Sequence, residues 1–291
     1  MRPAVPADSA PEVLRLGGCE GLAGGLPYLR VFLRMPFTFA HPAAVLPLRR
    51  FRFLLTVPLI IGSLVPDVPY YFPHRFGRML SDTHTLYGSL VTCLPLGMAL
   101  LVLTLLLREP LTVLLSARTR AACLGSIERF AARPLHWPVG LLSILIGAWT
   151  HIAWDSLTHS DGWTTARVSA LSAPISLLGW HTEMNHLLQY LSSAFGLLVV
   201  ALWFRAVVAR SPQPATGDLL PPPIRRLVLV LVCAAAMLIG AWAAWRQWYI
   251  ASYYHLGYLL LTRTVAWFVV LYLAAGLLVL FNRRAVPEPA R

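Results

Sequence analysis

The chain has 291 residues, of which 57% are hydrophobic and only 12% charged, about half the charged share of a soluble domain. With a mean hydropathy of +0.65, it has too little polar surface to cover a water-soluble globule. The formal charge of +12 comes entirely from arginine with no Arg-dense soluble domain to carry it, which argues against a nucleic-acid binder and for the Arg-rich cytoplasmic loops of a membrane protein.

Residues 1–34 are rich in Gly and Pro, irregular, and lack the apolar core of a signal peptide. They read as a disordered extension or a start-site error ahead of Met35. Apolar runs near the ~20 residues that cross a bilayer follow at 53–72, 86–107, 139–157, 187–208, 226–244 and 257–281. The first is broken by Pro58, Pro66 and Asp67. Between the runs, 109–130 reads as an amphipathic segment on the cytoplasmic surface, and 163–180 as a short interfacial or re-entrant piece. Residues 211–223 form a Pro-rich linker. The fold class is therefore all-α, a polytopic transmembrane helical bundle of about six spans. Residues 35–210 form a membrane domain with the polar cluster, and 224–291 a C-terminal two-helix membrane segment. Cys19, Cys93, Cys123 and Cys233 form no CxxC pair and read as small buried hydrophobes.

The loops set an orientation. Arg108, Arg118, Arg120, Arg129 and Arg133 lie in one, Arg205, Arg210, Arg225 and Arg226 in another, and Arg283, Arg284 and Arg291 in the tail. The alternate loops hold only Arg75, Arg78, Arg167 and Arg246, with Arg263 near a span end. The positive-inside rule then places the Arg-rich loops and the C-terminus in the cytoplasm. Tyr70, Tyr71, Trp163, Trp180, Trp248 and Tyr253 cluster at the opposite, outward ends, as aromatic belts do.

On that outward side gather His74, His84, His151, His159, His181, His186 and His255, with Asp67, Asp82, Asp155, Asp161 and Glu183. His151 and Asp155 are spaced i, i+4 and share one helix face, with His159 next on the stripe if the helix continues. Imidazole nitrogens and carboxylates converging at a span end suit zinc, or manganese or iron. Asp67 follows Pro66, and His84 sits in a Ser81-Asp82-Thr83-His84 turn. His41 falls on the wrong side if 53–72 is a span. A half-hairpin repairs this: 37–48 descends partway, turns at 49–52 and returns as 53–66, bringing His41 beside Asp67. His74 and His255 read as interface residues, and His136 as structural.

Met35-Pro36-Phe37-Thr38 with His41-Pro42, Gly62-Ser63, Pro66-Asp67, His84, Thr150-His151 through Asp155 to His159, and Leu188-Gln189-Tyr190-Leu191-Ser192-Ser193 resemble an uncharacterised bacterial membrane-protein family, a domain of unknown function. The likeness covers about 35–205. More distantly the chain is similar to predicted membrane-bound metal-dependent hydrolases. That similarity implicates His41, Asp67, His84, His151 and Asp155, with His159, as metal ligands. It departs from the pattern at Pro69, where a second acidic residue is absent, and before His84, which lacks a preceding His-Arg.

The function expected is thus a metal-dependent hydrolase in the bacterial inner membrane, with its site on the extracytoplasmic face. A divalent metal, zinc first, is the cofactor, and Asp82 or Glu183 the general base. Membrane lipids are the partners, a small or lipid-linked ester or phosphoester the substrate, and nucleic acid is excluded. A transporter predicts ionisable groups at the bilayer midplane, whereas here they sit at span ends. A non-enzymatic protein with a structural His/Asp cluster is the third reading.

Overall fold

Proline placement decides how the first apolar run folds. In the computed structural model, which describes residues 38–72, 82–177, 180–212, 214, 217–246 and 253–285, residues 53–72 are not a span. Helix α2 covers only Thr56–Leu64 and gives way to a 3-10 turn, Val65–Tyr71, that contains Pro66 and Pro69. Neither proline has an N–H to continue the helical ladder. Nine helical residues reach about 14 Å, half of a ~30 Å hydrocarbon core. The first limb precedes it: a 3-10 turn at Thr38–Ala40, α1 at Pro42–Val45, and a second 3-10 turn at Leu46–Arg50. The chain turns through 51–54 and packs α2 against α1. This is a two-limbed half-hairpin. Expectations about 1–34 and His74 lie outside the described residues, as does the side chain of His255.

Among the described residues five helices, not six, are long and apolar enough to cross a membrane, the make-up of a multi-pass membrane protein. The first is α3, Leu86–Leu106. Thr85 caps it by accepting the Gly88 N–H at 2.9 Å, and one π-helical turn spans Ser89–Cys93. After α4 (Arg108–Thr112) comes the amphipathic segment α5 (Ala117–Ala131). The remaining spans fall within α6 (His136–Thr158), α7 (Met184–Arg210), α8 (Pro222–Trp245) and α9 (Tyr253–Ala285). Only 6% of the most apolar window of α7 is buried, so most of its apolar surface is left uncovered by the rest of the chain.

The all-α expectation needs one correction. Residues 174–183 contain an antiparallel pair, β1 (Pro174–Leu177) and β2 (Trp180–Glu183), with Ile175 opposite Thr182 and Ser176 opposite His181. Pro174 interrupts any helix there, and the β-branched pair favours the pleat.

The half-hairpin is held by close backbone approach. A side chain at Gly62 would run into the Ile144 backbone, and one at Gly147 into the Leu59 carbonyl. Glycine at both points lets α2 cross α6 at backbone contact. Around this crossing lie the buried Val65, Cys93 and Ala148, and beside them Leu101, Phe130 and Ile144. The tail packs onto the front part. Gly276 of α9 abuts Pro110, Tyr272 Oη donates to the Leu111 carbonyl at 3.1 Å, and Arg263 to the Tyr71 carbonyl at 3.2 Å. Asp218, in the Pro-rich linker, accepts the Ala117 N–H at 2.6 Å and pairs with Arg225. These two partners hold its carboxyl below the ordinary range.

Candidate metal centre

The cluster forms at one end of the bundle, where the half-hairpin returns, α3 begins, α6 ends and α7 begins. Asp67 comes from the Val65–Tyr71 turn, His84 from the turn before α3, and His151 and Asp155 from the last two turns of α6. The structure brings these four together: one ligand atom from each lies within 4.8 Å of the others. His151 Nε2 is 3.0 Å from Asp155 Oδ2 and 3.4 Å from Asp67 Oδ1. His84 Nε2 is 3.3 Å and 3.4 Å from the same two oxygens. A tetrahedron with ligands ~2.0–2.1 Å from its centre has edges of about 3.3–3.4 Å. The four His–Asp distances therefore match the donor-to-donor spacing around one four-coordinate metal ion.

Hydrogen bonds behind the rings fix which nitrogen faces inward. His151 Nδ1–H donates to the Ser63 carbonyl at 2.8 Å, and His41 Nδ1–H to the Thr38 carbonyl at 3.2 Å. A carbonyl only accepts, so each Nδ1 holds a proton and each ring turns its Nε2 towards carboxylate. His84 follows suit: Thr83 Oγ1 donates to the Pro66 carbonyl at 2.8 Å and stands 3.2 Å from His84 Nδ1. Ring nitrogens set this close to carboxylates need a positive charge between them, a proton on nitrogen or a metal ion. In keeping with this, His151 Nε2 and both oxygens of Asp67 are buried with no hydrogen-bond partner among the described residues. His151 is 0% exposed and Asp67 1%. The donor set, two imidazoles and two carboxylates, suits zinc and its neighbours.

Two further expected ligands stand apart from the four. His41 Nε2 contacts the other oxygen of Asp155, Oδ1, at 3.0 Å, and its ring stacks on that of His151 with centroids 3.8 Å apart. His159 is the C-cap of α6 in an extended conformation, so the helical stripe ends before it. Its Nδ1 lies 3.2 Å from the Asp155 carbonyl and its Nε2 3.3 Å from Gln189 Nε2, so both nitrogens are engaged elsewhere. The two expected general bases lie off the cluster. Asp82 is exposed with φ 69°, and acts through its backbone, whose carbonyl accepts from Thr85 N–H and hydroxyl. Glu183 accepts from Asn185 Nδ2 at 3.3 Å.

Sequence reasoning missed the residues that orient the site. The Ser63 and Thr38 carbonyls carry no side-chain signature. Thr83 is polar and adjacent to His84, which is the signal that could have found it. Tyr70 stacks on His84 at 5.8 Å between centroids, and Tyr258 of α9 donates to the Tyr70 carbonyl at 3.3 Å, so the tail braces one wall. His84 is the most open member, with 30% of its side chain exposed. Burial disfavours its charge, but the Asp155 and Asp67 carboxylates outweigh this and hold it at about 9 in the metal-free protein.

Neither a curated protein nor a solved structure matches the chain, and the likeness to metal-dependent hydrolases gains no support from them. A family model described as "Domain of unknown function (DUF4184)" matches residues 35–281, and the chain belongs to that family.

Proposed function

We propose that this is a membrane hydrolase whose Asp67, His84, His151 and Asp155 hold a divalent metal, zinc first, at the extracytoplasmic face, and that its substrate is an ester or phosphoester of a lipid or lipid-linked molecule. The observation that supports it most is the convergence of four donor atoms, two of which, Asp67 Oδ1 and His151 Nε2, are buried without a hydrogen-bond partner among the described residues. A metal bound there supplies Lewis acidity and lowers the pKa of water. The protein's own groups do the rest. Ser63 and Thr38 hold two rings in one tautomer. Asp155 joins His41 to the cluster through its second oxygen. His159, 27% exposed and 3.6 Å from that oxygen, stands between the site and solvent, with Asp82 and Glu183 further out on the same side. A site at helix ends, beside lipid-facing α7, favours an amphiphile over a large soluble polymer.

Metal analysis of the purified protein tests this. Wild type should hold about one zinc per chain, and a His151→Ala/Asp155→Ala variant almost none. Equal, negligible metal in both would overturn the proposal.

One observation favours a second reading. Four protein donors converge on one point, as in structural zinc sites, whereas catalytic sites keep a position open. Cobalt substitution separates the two. In a catalytic site the visible spectrum shifts when an anion such as azide is added, through displacement of the half-exposed His84 or a fifth bond. In a structural site it stays fixed.

A further inference from the structure

A cavity of about 440 Å³ lies between the first limb of the half-hairpin and α7. One end is His41, whose Nε2 contacts Asp155 of the candidate metal centre. The other is Arg49, with its guanidinium 5.8 Å from the centre of the Trp203 ring. Between them the walls are almost wholly apolar, with Ala43, Ala44 and Val199 among them. Phe195 lines the cavity and is 66% exposed, so one side opens onto the lipid-facing surface of α7. Along α7 the lining runs from Ser192 to Trp203. That is about 16 Å of helix at 1.5 Å per residue, close to one leaflet, half of a ~30 Å hydrocarbon core.

We infer that this groove binds one hydrocarbon chain of a lipid from the leaflet on the site's side, with the chain's ester end at His41 and its methyl end towards Arg49 and Trp203. The occupant follows from three features taken together. The groove ends at His41, whose Nε2 contacts Asp155 of the metal centre, it opens sideways to the bilayer, and its length is that of a leaflet. A soluble ligand has no apolar surface of that length to bury, and a peptide would leave backbone groups unpaired against apolar walls. The inference rests on the proposed membrane hydrolase and narrows its substrate to an amphiphile with a chain. Ala43 and Ala44 become specificity residues, because their small side chains leave the groove its width.

The test uses the full chain in phosphatidylethanolamine–phosphatidylglycerol vesicles with a trace of phosphatidylglycerol bearing a diazirine on one acyl chain. The diazirine is placed near the carbonyl in one probe and near the terminal methyl in another. After irradiation, adducts are mapped by mass spectrometry. The near-carbonyl probe should modify residues 40–44 and 192–196, and the near-methyl probe 46–49 and 199–203. Ala44→Phe or Ala43→Leu should lower these adducts several-fold and leave those on α8 and α9 unchanged. Adducts spread evenly over all apolar helices, the two probes in reversed order, or no effect of either substitution in folded protein would overturn the inference. Metal content measured on the same samples separates the two readings. Metal-loaded protein without ordered labelling sinks the groove alone, and ordered labelling in protein that takes up no metal sinks the metal centre alone.

Discussion

Asp155 is the hub of the site, since both of its oxygens are used: one faces the His84 and His151 nitrogens, the other His41. Asp155→Asn should therefore abolish metal binding. His41→Ala removes only a partner that orients a ligand, and such losses lower metal affinity by roughly 10–100-fold. Zinc titration of both variants against a chelator checks the ranking, and an unchanged affinity in His41→Ala would show that the contact orients nothing. His84 supplies a pH dependence of definite sign. Its carboxylate partners raise it from the ordinary His value to about 9 in the metal-free protein. The stabilisation from its charged form is complete below the unfolded pKa of ~6.5 and is lost as pH rises through about 9. A metal needs the neutral imidazole, so binding displaces that proton, and apparent affinity should climb with pH up to about 9. Calorimetry of zinc binding at pH 7.5, in two buffers of different ionisation enthalpy, counts the protons released. His84→Ala should release fewer, and an equal count would remove His84 from the site.

At the scale of elements, the site depends on how closely α2 approaches α6. Only that contact lets the Ser63 carbonyl reach His151 Nδ1, and Gly62 and Gly147 make room for it. Overpacking a core costs typically ~1–3 kcal/mol. At Gly147 an added side chain meets backbone, which yields less than a side chain does. Gly147→Leu should thus lower the thermal midpoint in detergent by several degrees and weaken zinc binding. Gly217→Leu, where an added Cβ meets nothing within 4 Å, should change neither, and equal midpoints for the two variants would refute the close-packing account. The same elements show what was legible in the sequence. His151 and Asp155 could be paired from helical spacing alone, and Asp67 and His84 could be placed at the same end from charge and span counting. The half-hairpin followed from Pro66, Asp67 and the position of His41. The β1–β2 pair was not legible, because its stability lies in cross-strand pairing that no local period announces. Nor was the end of α6 before His159, which swings that imidazole towards Gln189. The carbonyls of Thr38 and Ser63 are invisible to any motif, since every residue has one.

The whole molecule has two unlike ends. Among the described residues, the cluster end, where α3 begins and α6 finishes, carries Arg167, Arg246 and Arg263, the last bonded to the Tyr71 carbonyl. The opposite end carries Arg108, Arg118, Arg120, Arg129, Arg133, Arg205, Arg210, Arg225 and Arg226. Arg49, Arg50 and Arg52 at the tip of the half-hairpin point the same way, because the limb leads from His41 away from the cluster. On this imbalance we propose an orientation: the positive-inside rule keeps cationic loops in the cytoplasm, which would turn the cluster outward. The loss of one span from the sequence count does not alter this, because a half-hairpin enters and leaves on the same side. Single cysteines in a chain whose four native cysteines are replaced test it. Asp161→Cys, at an exposed position of the cluster end, should react with a membrane-impermeant maleimide in intact cells. Gly217→Cys, exposed in the linker at the far end, should react only after the membrane is opened. The reverse pattern would turn the cluster to the cytoplasm, where its substrate could not be a lipid of the outer leaflet. The metal site would survive that result, because its evidence is the geometry of four side chains, whereas its orientation rests on the arginine count.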